Sequence, residues 1–183
     1  ELFSTLEEAQ GAAVIEERSS AGGVVTFWFT HTFFRQTLYE ETFTPRRIRL
    51  HRQVGEALED VYSSRPAEHA SEMAEHFSNS SDDVGLAKAL KYGEMAAERA
   101  MSVYAHGEAV RLFDQAVEIQ RVLDPSGEVK LFDLLLELGN VLISARNPRR
   151  AGYDIANQAL ALADSIPERA RFRSQRIGIH SLD

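Results

Sequence analysis

The chain has 183 residues, no cysteine and a net charge of −8, which excludes disulfides, thiol catalysis and cysteine-ligated metal sites and suits it poorly to non-specific nucleic-acid binding, which needs clustered cations. Apolar content of 44% and charged content of 26% belong to an ordinary globular protein of one or two domains, long enough to bury a core. No apolar run approaches the roughly 18–20 residues that span a bilayer. The start, Glu1-Leu2-Phe3-Ser4, has neither the basic region nor the apolar block of a secretory signal. It is not Met and reads as mid-helix, as expected of a segment of a longer protein.

Residues 2–17 are predicted as an amphipathic helix, with Leu2, Leu6, Ala9 and Ala13 on one face. Ser19 to Gly23 is a turn. Val24-Val25-Thr26-Phe27-Trp28-Phe29 is the strongest strand signal in the chain, and Val14-Ile15-Glu16-Glu17 is its candidate hairpin partner. Helix, glycine turn and strand together suggest the end of a winged helix. Thr30 or Thr32 would cap a helix over 33–41, which Pro45 breaks. A helix over 45–62 follows, with Leu50, Val54, Ala57, Leu58 and Val61 as its expected buried face.

From Pro66 onward strand vocabulary disappears. Apolar stripes mark successive helices: Ala70, Met73, Ala74 and Phe77; then Leu86 through Ala97 to Tyr104; then Ala109, Phe113 and Val117; then Leu131, Leu135, Leu138 and Leu142; then Ala151, Ile155 and Leu162. Breaks fall at Ser78–Asp83, Asp124–Gly127 and Asn147-Pro148, and Pro167 is expected to start a last helix. Small residues recur in register: Ala97 and Ala109 are twelve apart, as are Gly139 and Ala151, with Phe113 and Ile155 four residues after each second one. A small residue lets a second helix approach, and the larger one fills the groove. This resembles the tetratricopeptide pattern, at a period of 42 (Ala97 to Gly139) instead of the usual ~34, and without its Trp. The expected fold is mainly α: a winged-helix remnant with a short β-hairpin over 1–44, then a right-handed α-solenoid of irregular tetratricopeptide-like helix pairs over 45–183.

The string Phe29, His31, Arg35, Tyr39, followed by Pro45-Arg46-Arg47 and Leu50-His51, is similar to the junction of winged helix and tetratricopeptide-like repeats in large bacterial STAND-type ATPase regulators. These include LuxR-type transcription regulators and ATPase–cyclase fusions. Ala70-x-x-Met73-Ala74-x-His76-Phe77 and Ala105-His106-Gly107-Glu108-Ala109 resemble that family's repeat starts. The resemblance implies a cytoplasmic signal-transduction protein whose ATPase module lies outside this chain. Repeats would bind a protein or small-molecule effector and relay it to that module, and DNA would be met through another domain. ATP or ADP is implied for the parent protein, and no cofactor for this segment. The alternatives are a winged-helix DNA-binding fragment with a helical dimerisation domain, or the accessory region of a nucleotide cyclase.

No catalytic constellation emerges. None of Lys88, Lys91 and Lys130 follows a glycine as a phosphate-cradling loop requires. No Gly-x-Ser-x-Gly is present, and the segment is not expected to be an enzyme. His31 is either a cap of the strand-to-helix turn or, by the resemblance, a nucleotide contact. Arg46, Arg47, Arg49, His51 and Arg52 form the basic cluster: a solvated face paired with glutamates, a contact for an acidic partner surface, or a DNA-backbone contact. His69, Glu72 and His76 share a helical stripe, but no fourth metal ligand accompanies them at helical spacing, and a polar face is the simpler reading. The aromatic cluster of Phe27, Trp28, Phe29, Phe33 and Phe34 is expected to be core, since no basic residues interleave it as a nucleic-acid stacking platform would need.

Overall fold

The computed structural model describes residues 2–19, 25–80, 82–147 and 149–163. It is mainly helical, with a small antiparallel sheet of two strands among the described residues. The order is α1 (Leu2–Gly11), β1 (Ile15–Ser19), β2 (Val25–Phe29), α2 (Thr32–Glu41), α3 (Thr44–Val61), a 3-10 turn at Pro66–Glu68, α4 (Ala70–Ser78), α5 (Asp83–Ser102), α6 (His106–Leu123), α7 (Glu128–Ser144), a π turn at Arg150–Ile155 and α8 (Ala156–Ala163). Two compact units, Glu1–Arg47 and Ile48–Asp183, divide the chain inside α3. The helix expected after Pro167 lies outside the described residues.

In the first unit the helix expected over 2–17 stops at Gly11. Ala13 adopts a left-handed φ of 56°. Its N–H reaches the Gln10 carbonyl and that of Val14 the Ala9 carbonyl, both at 2.9 Å. This is a Schellman closure with alanine in the position glycine usually holds. The chain then enters β1, which pairs antiparallel with β2 in the register Ile15↔Phe29, Glu16↔Trp28 and Glu17↔Phe27. The partner expected at Val14–Glu17 is thus the one used. Thr30 secures the hairpin base: its amide donates to the Val14 carbonyl at 3.0 Å and its hydroxyl to that of Ala13 at 2.7 Å.

In the second unit the apolar stripes do what their periods imply. Ala70, Met73 and Phe77 of α4 are buried, as are Ala97 of α5, Ala109 and Phe113 of α6, Leu135, Leu138 and Leu142 of α7, and Ala151 and Ile155 of the π turn. α4 packs on α5, α5 on α6, α6 on α7, and α7 on the π turn and α8. Polar clasps also join alternate helices. Lys130 of α7 reaches Glu94 of α5 at 2.6 Å, Arg150 reaches Asp114 of α6 at 2.6 Å, and Arg121 of α6 reaches Gln158 of α8 at 2.6 Å. Asp82 caps α5 by accepting from the Gly85 amide at 2.8 Å. α5 and α7 end in the same Schellman closure as α1, on Tyr104 (φ 60°) and Arg146 (φ 58°). Tyr104, expected on the buried stripe of α5, therefore sits in a turn and is 82% exposed.

Candidate functional site

His31 lies at the start of α2 in extended backbone, φ −143° and ψ 141°. Its Nδ1 accepts from the Phe33 amide at 3.1 Å, so His31, not Thr30 or Thr32, is the N-cap. The cap fixes the tautomer: in the neutral ring the proton sits on Nε2, a donor on an exposed side chain. The surrounding aromatics are not core. Trp28 is 55% exposed and Phe33 63%, and Phe27, Phe29 and Phe43 are exposed as well. The strand signal read their β-propensity correctly, but Ile15 is the one hydrophobe of this unit's described residues that is buried. The Arg18 guanidinium lies 5.0 Å from the Trp28 ring centroid and bonds Glu16 at 2.8 Å.

The arginine cluster is divided by its bonds. Arg47 donates to the Tyr39 carbonyl at 3.0 Å and to the Thr44 hydroxyl at 3.2 Å, with its guanidinium 4.9 Å from the Tyr39 ring centroid. Arg52 pairs with Glu56 at 3.1 Å and Asp82 at 3.2 Å. Arg46 and Arg49 are exposed on α3. Two of the four cations are therefore spent on groups of their own chain.

Within the second unit, the polar chemistry gathers where α3 meets α4 and α5. Gly55 is buried, and a Cβ built on it would lie 2.9 Å from the Phe77 ring, so glycine is what lets α3 approach α4. Four residues on, the Glu59 carboxylate accepts from the Tyr92 hydroxyl at 2.7 Å and pairs with Lys88. Lys88 Nζ also stands 4.8 Å from the Phe77 ring centroid. Burial pushes the Glu59 carboxyl up, but the bonds from Lys88 and Tyr92 outweigh it and hold it below its ordinary range. Burial, then the bond to Glu59, pushes the Tyr92 hydroxyl up to about 12. Four residues before Gly55, His51 faces His76 of α4, Nδ1 to Nδ1 at 3.1 Å.

This face of α3 replaces most of the one expected, of which Leu58 is partly buried and packs against the core of the second unit. Leu50, Val54 and Val61 are 44%, 40% and 70% exposed, and with Ala57 they line a shallow groove open to solvent. The signal that marks the true packing face is Gly55, an isolated glycine in a helical pattern. The expected stripe of His69, Glu72 and His76 is also divided. His69 stacks on Tyr62 with centroids 3.4 Å apart and lies 3.7 Å from Glu72, while His76 turns to His51. Among the described residues no three His, Asp or Glu side chains converge as a metal cluster, and no helix is long and apolar enough to cross a membrane. No family model matches the chain, and no curated protein or solved structure does.

Proposed function

We propose that this chain is a regulatory, protein-interaction segment of a multidomain ATP-dependent transcription regulator of the STAND type. The observation that carries this reading is the aromatic surface of the first unit. A helix-hairpin-helix unit that buries Ile15 but leaves Trp28, Phe33 and Phe43 out presents apolar area of the kind that marks a protein-binding face. On this reading a nucleotide-binding module covers that surface, and His31 Nε2–H donates to the bound nucleotide. The helices of the second unit, packed in succession from α4 to α8 and in several places clasped to the one after next, act as tetratricopeptide-like pairs that receive an effector. Effector binding shifts the nucleotide module between two states by its different affinity for each. The segment itself performs no chemistry, works in the cytoplasm and meets DNA through another domain.

The test is calorimetric titration of this chain with the parent protein's nucleotide-binding module, loaded with ADP or ATP. Binding should differ between the two nucleotides and should weaken at least about tenfold in Trp28→Ala and Phe33→Ala, as expected of central aromatic anchors. His31→Ala should reduce the difference between nucleotides. Absence of binding in both states, or indifference to the aromatic substitutions, would refute the reading.

A further inference from the structure

We propose that His51 and His76 form a two-nitrogen chelate for a divalent transition metal of the zinc and nickel class, joining α3 to α4. The proposal is independent of the relay reading above. The two Nδ1 atoms lie 3.1 Å apart, with ring centroids 5.1 Å apart and planes inclined by 47°. Imidazole nitrogens bind zinc at about 2.0–2.1 Å. Two such nitrogens 3.1 Å apart subtend roughly 100° at the metal, between the square-planar and tetrahedral angles. Two rings joined head-on through their Nδ1 atoms would have centroids about 5.4 Å apart, and two ligating one ion at that angle about 4.8 Å. The observed separation lies between these limits, so a small rotation of the rings converts one arrangement into the other.

Both side chains are half-buried, which lowers the competition from bulk water. The neighbouring cation, Arg52, is held by Glu56 and Asp82, which offsets its repulsion of an incoming dication. Each ring must present a lone pair at Nδ1. The ring that now donates in the hydrogen bond therefore shifts its proton to Nε2, and two neutral rings release no net proton. Among the described residues no third His, Asp or Glu converges there, so water completes the coordination. Such an open site suits an exchangeable ion better than a permanent structural one. Nitrogen ligands select against magnesium and calcium, which prefer oxygen.

The experiment is calorimetric titration of the chelator-stripped chain with zinc chloride and nickel chloride at pH 7.5, with magnesium chloride as the control. The expected result is one equivalent bound in the micromolar range, weaker at pH 6 where protons compete for the rings, and no heat from magnesium. His51→Gln and His76→Gln should each lose at least about tenfold in affinity, while His69→Gln should bind as the unaltered chain does. Binding that survives either of the first two substitutions, binding that is lost in His69→Gln, or no binding of either metal would overturn the proposal. If a glutamine variant fails to fold, the imidazole nitrogen-15 shifts of the unaltered chain decide. Zinc must move Nδ1 of both His51 and His76, and a response confined to other histidines would overturn it.

Discussion

Replacing Gly55 by alanine sets two effects against each other. An unobstructed glycine-to-alanine exchange inside a helix stabilises by about 1 kcal/mol through propensity. At Gly55 the new Cβ would meet Phe77 Cε1 and Cζ at 2.9 Å and Cδ1 at 3.1 Å. Phe77 is 1% exposed. It stacks on Tyr92 at 5.9 Å and is faced by Lys88, so its ring has no open side into which to retreat. Overpacking of this kind costs about 1–3 kcal/mol. The propensity gain offsets part of that, leaving a net loss of about 1 kcal/mol and a midpoint lower by about 2–4 °C. Gly93 is the control: it is buried in α5, yet a Cβ there meets nothing within 4 Å, so Gly93→Ala should gain about 1 kcal/mol. Thermal and urea unfolding followed by circular dichroism at 222 nm would order the three as Gly93→Ala, then the unaltered chain, then Gly55→Ala. If Gly55→Ala proves as stable as Gly93→Ala, α3 does not approach α4 through this glycine and the packing argument fails.

Three further outcomes follow from the helices of the second unit. Tyr92 titrates at about 12 in the folded chain, above its ordinary value near 10. Its contribution to stability is therefore full below pH 10 and is lost as pH rises from 10 to 12. Absorbance at 295 nm should show one late tyrosine that moves down in Glu59→Gln; a late phase unchanged in that variant would refute the pairing. Glu59 itself is held below its ordinary range, so its contribution is present above pH 4.5 and is lost as pH falls below it. Arg146 closes α7 at φ 58°, a conformation that costs a non-glycine residue about 1 kcal/mol or more. Arg146→Gly should raise the urea midpoint accordingly, and a lowered midpoint would mean that the arginine side chain stabilises the turn.

The legible part of the fold is the part whose stabilisation is amphipathic. For α4 to α7 the apolar stripe and the packing face coincide, because each helix has neighbours that bury its stripe, and a 3.6-residue period reports this directly. Helix ends were harder to read. Three helices close on Ala13, Tyr104 and Arg146, and without glycine in the left-handed position no residue type announces the closure. The cap at His31 is one of the readings the sequence offers and the one the fold uses; the threonines compete with it because threonine is the commoner cap, but here the Thr30 amide and hydroxyl hold the hairpin base instead. The aromatic run from Phe27 to Phe29 predicted a strand correctly and burial wrongly. β-propensity describes a pleated surface able to pack, and it does not say that anything in the same unit packs against it.

α3 shows how far periodicity reaches. Its sequence carries two stripes at helical spacing, one of Leu50, Val54, Ala57, Leu58 and Val61, of which Leu58 packs partly buried on the core, and one of His51, Gly55 and Glu59. Hydrophobicity favours the first, yet the second faces α4 and α5. Gly55 admits Phe77, and on either side a polar side chain finds its complement, His51 in His76 and Glu59 in Lys88 and Tyr92. Those complements lie 25 to 33 residues away, so no local window contains both halves. An apolar stripe left open while a polar one is satisfied places α3 at an edge of its helical unit. Substitutions on the exposed Leu50, Val54 and Val61 should therefore leave the polar contacts of α3 with α4 and α5 intact, which thermal unfolding would show as an unchanged midpoint.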